Sequence, residues 1–166
     1  MLWSYNHWMT VTGSGSYGPG IAVTGSPSMS AAQVDKVLCD NKSPACGTGY
    51  TLYTYGTQYG IDPAFALAVF SHESSFGKAG IAVQTRSLGN IRCSDGYACI
   101  GGFRSYPSWQ AGYSDFYKLI STEYIARGLT TPETIMPRYA PAADNNDPVA
   151  YATAVEASMK DWRAAA

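Results

Sequence analysis

One stretch of sequence, residues 62–77, constrains the fold more than any other. Asp62 is a favourable N-cap residue, and the proline that follows it fits the first turn of a helix. The helix continues through AFALAVFSHESS and is expected to end near Gly77. Its apolar run, Ala64 to Phe70, is the longest in the chain but covers only seven residues, whereas a membrane span requires about 20. The sequence therefore predicts a strong helix and no membrane span.

Glu73 lies on the apolar side of this predicted helix. Ala66, Val69, Phe70 and Glu73 are spaced at i, i+3, i+4 and i+7, so the carboxyl follows the apolar stripe into the last turn. Burial and the negative end of the helix dipole both raise the pKa of a carboxyl in that position. A carboxyl that stays protonated near neutral pH can act as a general acid. The same spacing also fits a glutamate at the rim of the core whose head reaches water.

The other helix signals predict an α+β domain that is mainly α. Ser30 begins a capping box with Gln33, whereas the glycine-rich stretch between Leu88 and Phe103 predicts only a short hairpin. We interpret residues 1–29 as a flexible N-terminal arm or linker, because 13–30 are dominated by Gly, Ser and Pro. The folded domain is then 30–166. Six helices are predicted, which begin near Ser30, Gly49, Asp62, Pro107, Thr131 and Asp147.

The composition narrows the possible function classes. Lys and Arg total 11 and Asp and Glu total 12, which gives a net charge of −1, and only 14% of the residues are charged. These values argue against a nucleic-acid binder with a dense basic surface. The chain also has 13 Tyr and 4 Trp. Such rings have a polar edge and suit wet, partly apolar surfaces such as sugar-binding clefts, although half-buried packing explains the same excess.

The four cysteines form two pairs that are close in sequence, Cys39 with Cys46 and Cys93 with Cys99. Turn-forming residues inside each pair favour local pairing, and therefore two small disulfide loops in an exported protein. Neither pair has zinc-knuckle spacing and the chain has 2 His, so no metal is expected. Residues 1–10 lack the basic start and apolar stretch of a signal peptide, which indicates an artificial start or a cut from a longer exported chain.

Four motifs, in order, resemble those of the lysozyme-like peptidoglycan hydrolases. ESSFG at 73–77 is similar to their helix-ending E-S-x-x-G, and SLGNI at 87–91 resembles the segment that leads into their cleft-lining hairpin. FRSYPSW at 103–109 resembles the segment before their next helix. RYAP at 138–141, followed by 145–151, resembles their tyrosine-bearing loop and last helix. Order and spacing match best the bacterial N-acetylglucosaminidases of autolysin and flagellar type (mannosyl-glycoprotein endo-β-N-acetylglucosaminidase-like), over residues 50–163.

The resemblance implies a lysozyme-like catalytic domain at 30–166, with about six helices and a small β-hairpin beside the cleft. It implies an endo-acting glycoside hydrolase that cleaves β-1,4 bonds of N-acetylated sugars in bacterial peptidoglycan. The expected partners are peptidoglycan glycan strands or chitooligosaccharides, and no cofactor is implied. We expect a monomer at an extracellular or cell-wall location.

The resemblance also assigns residues. Glu73 matches the catalytic acid, and Tyr139 matches the tyrosine that lines the cleft near the scissile bond, with a packed corner tyrosine as the alternative. Some relatives carry a second carboxylate on the hairpin, where Asp95 is the acid present here, but its position inside the disulfide loop favours a turn residue. Without a second carboxylate, the substrate's N-acetyl group or a positioned water would complete the reaction. Substrate contacts are expected from Ser74, Ser75, Asn90, Tyr106 and Arg104, with Tyr97, Trp109 and Tyr151 as weaker candidates.

Four other functions are alternatives to a glycoside hydrolase. A lytic transglycosylase of the same fold would also use Glu73 but would close an anhydro ring instead of adding water. A non-catalytic glycan-binding module would keep the cleft. A cysteine peptidase using Cys39 or Cys93 with His72 would require a free thiol. A zinc protease is excluded, because His72 and Glu73 begin like HExxH but Phe76 stands where the second histidine is needed.

Overall fold

A computed structural model of the chain describes residues 20–166. Within that range the chain forms mainly helices and one two-stranded sheet, so the prediction of a mainly α domain with a small hairpin is confirmed. The helix that was not predicted is the four-residue helix Ala82–Thr85, which is too short to show a period. The elements are α1 (Ala31–Asp40), α2 (Gly49–Tyr59), α3 (Pro63–Ser74), α4 (Ala82–Thr85), β1 (Cys99–Ile100), β2 (Phe103–Arg104), α5 (Trp109–Glu123), α6 (Pro132–Tyr139) and α7 (Pro148–Ala164), with 3₁₀ turns at Ile125–Arg127 and Ala142–Asp144.

Helix α3 is the centre of the core. Every residue from Pro63 to Phe70 is buried, because the helix packs against α1, α2 and α7. A helix that is apolar on all sides is stable only when other elements surround it in this way. Asp62 caps its first turn by accepting a hydrogen bond from the Ala64 N–H at 3.0 Å. The fully buried Asp62 carboxylate is also paired with Arg163 of α7 at 2.9 Å, which ties the two helices together.

Capping residues mark the first turns of α1, α5 and α7. Ser30 and Gln33 form the capping box that the sequence predicts. Ser108 accepts a hydrogen bond from the N–H of Ala111 at the start of α5, and Asp147 does the same for α7. Each side-chain oxygen satisfies a backbone donor that has no partner inside the helix.

The hairpin stands beside the helical core. Strands β1 and β2 are antiparallel, with Cys99 opposite Arg104 and Ile100 opposite Phe103. Gly101 has a positive φ in the turn between them, a conformation that costs glycine little. A disulfide joins Cys93 to Cys99 at the base of this hairpin. A second one, Cys39–Cys46, closes the loop after α1, so both predicted local pairings are confirmed.

Residues 20–29, which the sequence analysis assigned to the arm, are packed against the domain. Val23 and Met29 are buried in the core. The backbone of Val23 is hydrogen-bonded to Thr130 and Asp62, and Thr24 forms an isolated β-bridge with Ile61. The Gly, Ser and Pro composition did not reveal this packing, because two apolar side chains and three backbone contacts are enough to hold the segment. Residues 1–19 of the predicted arm lie outside the described part of the chain.

Among residues 20–166, no helix combines the length and the apolar character that crossing a bilayer demands.

Candidate active site

Glu73 lies in the last turn of α3, where the helix stops abruptly. Ser75 and Phe76 both have positive φ, at 49° and 59°, so the chain turns away as soon as the helix ends. The Ser74 hydroxyl stabilises this turn, because it accepts from the Gly77 N–H at 2.8 Å and donates to the Phe70 carbonyl at 3.3 Å. The carboxyl of Glu73 is thereby held at the end of a rigid, buried helix.

Each oxygen of the Glu73 carboxyl accepts one hydrogen bond. The Tyr151 hydroxyl, from the first turn of α7, donates to Oε1 at 2.8 Å. The Asn90 side-chain amide, from the loop that follows α4, donates to Oε2 at 3.1 Å and to the Glu73 carbonyl at 3.4 Å. Asn90 has a φ of +47°, a conformation that asparagine tolerates better than most residues. Three separate parts of the chain therefore meet at this carboxyl.

Burial raises the pKa of the Glu73 carboxyl above its ordinary value of 4.5. The hydrogen bonds from Tyr151 and Asn90 act in the opposite direction, because they stabilise the carboxylate, but burial outweighs them. The pKa values of Tyr151 and Tyr139 are raised by burial and by the nearby charge of Glu73. Both phenols therefore remain neutral hydrogen-bond donors. A carboxyl with a raised pKa and donors on both oxygens has the chemistry of a general acid.

Tyr139, the last residue of α6, reaches the same region but touches a different group. Its hydroxyl donates to the carbonyl of Gly89 at 2.5 Å. Its ring packs against Phe116 and Tyr124. A β-carbon at position 89 would overlap the Tyr139 hydroxyl, so this approach requires glycine. Tyr139 thus supports the segment that carries Asn90, and its ring has the packing expected of a corner tyrosine.

The residue that the site predictions ranked too low is Tyr151. It is only 4% exposed and donates a hydrogen bond to Glu73, although the sequence predicts it only as a weaker candidate. Its spacing from Val155 and Met159 places it on the buried face of α7. This spacing indicates that Tyr151 faces the core. Periodicity alone cannot identify α3 as the helix that it contacts.

Arg104 and Tyr106 form a cluster that fastens the hairpin to α5. The Arg104 guanidinium is paired with Asp115 at 2.9 Å, donates to Ser94 at 2.9 Å, and lies over the Tyr97 ring at 3.7 Å. The hydroxyls of Tyr97 and Tyr106 are hydrogen-bonded to the same aspartate. Arg104 is predicted to contact the substrate, but α5 supplies an acidic partner for it within the protein. Both predicted substrate contacts are therefore engaged within the protein, although Arg104 Nε is buried without a hydrogen-bond partner among the described residues.

The remaining predicted residues differ in their surroundings. Ser74 is 2% exposed and its hydroxyl is used in the turn, while Ser75 is half-buried at the helix end. Asp95 is exposed in a turn of the disulfide loop, in which Tyr97 N–H donates to the Ser94 carbonyl. Of the predicted set, the structure therefore brings Asn90 directly to Glu73 and Tyr139 to the adjoining segment. The weaker candidate Trp109 belongs to the core, with its ring 5.4 Å from that of Phe70.

An ion pair also joins the segment that carries Asn90 to the loop between α6 and α7. Arg92, two residues after Asn90, is paired with Asp144 in the loop between α6 and α7 at 2.5 Å. The negative charge of Asp144 is therefore balanced by the guanidinium of Arg92. Within the part of the chain that the structure covers, no group of three or more His, Cys, Asp or Glu side chains is arranged to hold a metal ion.

Comparison with solved structures identifies the fold. Autolysin E of S. aureus, in complex with the muropeptide NAM-L-Ala-D-iGlu, is similar with a TM-score of 0.62 and 13% identity, over 87% of this chain and 71% of that chain. Another structure of autolysin E has a TM-score of 0.62 and 16% identity, over 87% and 70%. A catalytic mutant of it, with glutamate changed to alanine and the disaccharide NAG-NAM bound, has a TM-score of 0.61 and 12% identity, over 90% and 75%. At these identities the likeness shows the fold.

Comparison with sequences identifies the family. A search of curated proteins found no matching sequence. A model of the glucosaminidase family, described as mannosyl-glycoprotein endo-beta-N-acetylglucosaminidase, matches residues 50–164, which include every residue that contacts the Glu73 carboxyl. Because this match covers well over half of the chain, the protein belongs to the glucosaminidase family and is a glycoside hydrolase.

Proposed function

We propose that this protein hydrolyses the β-1,4 bond between N-acetylated sugars in the glycan strands of bacterial peptidoglycan, with Glu73 as the general acid. The observation that carries the proposal is the Glu73 carboxyl itself, held at the end of a buried helix with a raised pKa and a donor on each oxygen. The substrate class is supported by autolysin E, whose structures contain a muropeptide and NAG-NAM. Family membership supports the cleavage of bonds made by N-acetylglucosamine.

In the first step, protonated Glu73 gives its proton to the glycosidic oxygen as the bond from that oxygen to the anomeric carbon breaks. The glutamate becomes a carboxylate, and the donors Tyr151 and Asn90 stabilise the negative charge as it forms. A water molecule then adds to the anomeric carbon and loses a proton to the Glu73 carboxylate. This restores the acid for the next turnover.

Asp95 and Asp144 are the two carboxylates to consider for the group that acts on the sugar opposite Glu73. Asp95 is exposed in the disulfide loop, and Asp144 is paired with Arg92. These placements favour the substrate's own N-acetyl oxygen, or a positioned water, as the nucleophile, which is a recognised exception to the scheme with two carboxylates.

The decisive experiment replaces Glu73 with glutamine and measures the release of reducing ends from purified peptidoglycan. We expect the activity of Glu73→Gln to fall by at least about 1,000-fold, because an amide cannot donate a proton to the leaving oxygen. Glu123→Gln is the matched control, since that side chain lies exposed at the end of α5. The proposal fails if the wild type has no lytic activity, or if Glu73→Gln retains it.

Mass spectrometry of the digest defines the reaction and the linkage. Hydrolysis gives products with one added water, whereas a transglycosylase would give anhydro products lighter by one water. Reduction of the new ends with borohydride identifies the sugar at the cleaved bond. We expect reduced N-acetylglucosamine, and a reduced muramic acid would assign the other linkage.

We further propose that the enzyme acts as a monomer outside the cell, at the cell wall. The two disulfides support an oxidising compartment, because such bonds rarely persist in the cytosol.

A further inference from the structure

We propose that His72 is a positioning residue, whose ring holds Tyr151 in the place from which the tyrosine donates to Glu73. The His72 and Tyr151 rings are in contact in a tilted arrangement, with centroids 3.8 Å apart and planes 38° apart. The same tyrosine donates to Glu73 Oε1 at 2.8 Å. This inference rests on the proposed function, because it concerns the group that stabilises Glu73.

Tyr151 is held by contacts with two residues of α3, His72 and Glu73. Adjacent residues of a helix point about 100° apart, so His72 and Glu73 approach the tyrosine from different directions. The hydrogen bond to Glu73 fixes the position of the phenol oxygen but does not by itself set the tilt of the buried ring. The contact with His72 fixes the face of the ring. Together they restrict both movements of a side chain that comes from another helix, α7.

The charge state of His72 suits this role. Although part of the side chain stays exposed, burial of the ring lowers the pKa of His72 below its ordinary value of 6.5. The imidazole is therefore neutral at neutral pH. An imidazolium beside Glu73 would stabilise the carboxylate and lower the pKa of the acid. A neutral aromatic ring supports Tyr151 without removing the proton that catalysis requires.

The test compares two substitutions of His72, each with and without Tyr151→Phe. His72→Ala removes the ring, and we expect kcat to fall about 10-fold with little change in KM, because the lost stabilisation acts on the transition state. His72→Phe keeps an aromatic face and should recover most of the activity. In the Tyr151→Phe background His72→Ala should have little further effect, since two residues that act through one interaction are not additive.

The pH profile separates positioning from a simple loss of stability. The hydrogen bond from Tyr151 lowers the pKa of Glu73, so losing it should move the basic limb of kcat/KM to higher pH. We expect this shift in both Tyr151→Phe and His72→Ala. The other titratable group whose charge interacts with Glu73, Tyr139, is unchanged in these variants. A partly unfolded variant would lose activity at every pH without moving the limb.

Three results would overturn the inference: full activity of His72→Ala, a basic limb that stays at its wild-type pH, or full additivity with Tyr151→Phe. A His72→Phe variant as weak as His72→Ala would also reject it, because the imidazole nitrogens rather than the ring face would then matter. Glu73→Gln is measured in parallel. If that variant is inactive while His72→Ala is fully active, the proposed function stands and only the positioning role fails.

Discussion

The carboxyl of Glu73 is shaped by two opposing influences. Burial favours its protonated form, while hydrogen bonds from Tyr151 and Asn90 favour its charged form. A general acid benefits from both, because it must begin protonated and end as a carboxylate. The same balance has a consequence for stability, since a carboxyl whose pKa is raised by burial opposes folding at a pH where the unfolded chain carries it as a carboxylate.

We therefore expect Glu73→Gln to be more stable than the wild type at pH 7. The pKa of Glu73 is higher in the folded state, so its contribution to stability is complete below 4.5 and is lost as the pH rises through the folded value. Glutamine carries no charge. The Asn90 amide can also rotate, so that its oxygen, which is buried without a partner, accepts a hydrogen bond from the new amide.

Thermal unfolding at pH 7 and pH 4 measures this effect. The melting temperature of Glu73→Gln should exceed that of the wild type by a few degrees at pH 7, and the difference should shrink at pH 4. The control Glu123→Gln should show neither change. Equal melting temperatures at pH 7 would mean that the carboxyl bears no cost of burial.

At the level of elements, the site depends on how α6 and the loop after α4 approach each other. The Tyr139 hydroxyl reaches the Gly89 carbonyl from α6, and Gly89 adjoins the residue that holds Glu73. The Arg92–Asp144 ion pair joins the same two regions at a more exposed point. The position of Asn90 is thus set by α6 as well as by its own loop.

Gly89→Ala tests this dependence. The new methyl group would overlap the Tyr139 hydroxyl and crowd Phe116, so the loop or the tyrosine must move. We expect kcat/KM to fall about 10-fold or more, since small displacements of catalytic groups have large effects on rate. Gly128→Ala is the control, because its positive φ makes alanine unfavourable by about 1 kcal/mol in open space away from the site. Activity at a temperature where both variants are folded should distinguish them, and equal losses would contradict the argument.

The elements also show which parts of the structure a sequence can reveal. Residue signals located α1, α3 and α7, because Ser30, Asp62 and Asp147 are local caps whose effect lies within four residues. Glu73 could be found from its spacing and from the motif around it. Its partners could not be assigned in the same way, because Tyr151 lies 78 residues further along the chain and depends on how α7 packs against α3.

The prediction for Arg104 illustrates the same limit. The sequence predicts that the guanidinium contacts the substrate. Asp115 is only 11 residues away, but it reaches Arg104 because α5 folds back beside the hairpin. The hydrogen bonds of Tyr97 and Tyr106 depend on the same packing. Pairings between elements belong to the tertiary structure, and a single sequence carries no local signal for them.

For the molecule as a whole, α7 is the element that closes the fold. It packs against both α3 and α6. Its Arg163 pairs with the fully buried Asp62 at the start of α3 and donates to the Ala22 carbonyl at 3.1 Å. Its Glu156 accepts from the Ile21 N–H at 2.9 Å, so α7 also fastens the segment that precedes α1.

Arg163→Ala should therefore lower the stability of the entire domain. Removing the arginine leaves the Asp62 carboxylate buried without its ionic partner, and we expect the free energy of unfolding to fall by about 3 kcal/mol. Lys160→Ala is the matched control, since that exposed side chain lies 3.8 Å from Glu156 on the same helix. Its change should be below about 1 kcal/mol. Urea unfolding of both variants provides the comparison, and similar values would show that the buried carboxylate finds another partner.

The contact between α3 and α7 at the active site also joins two parts of the site that are synthesised at different times. A growing chain contains Glu73 long before it contains the tyrosine that completes the site, because 78 residues separate them. Until that stretch has been synthesised, α3 has no α7 to pack against. The acid and its stabilising phenol come together only when the last helix docks. A chain that has not yet reached α7 therefore lacks the phenol that hydrogen-bonds to Glu73.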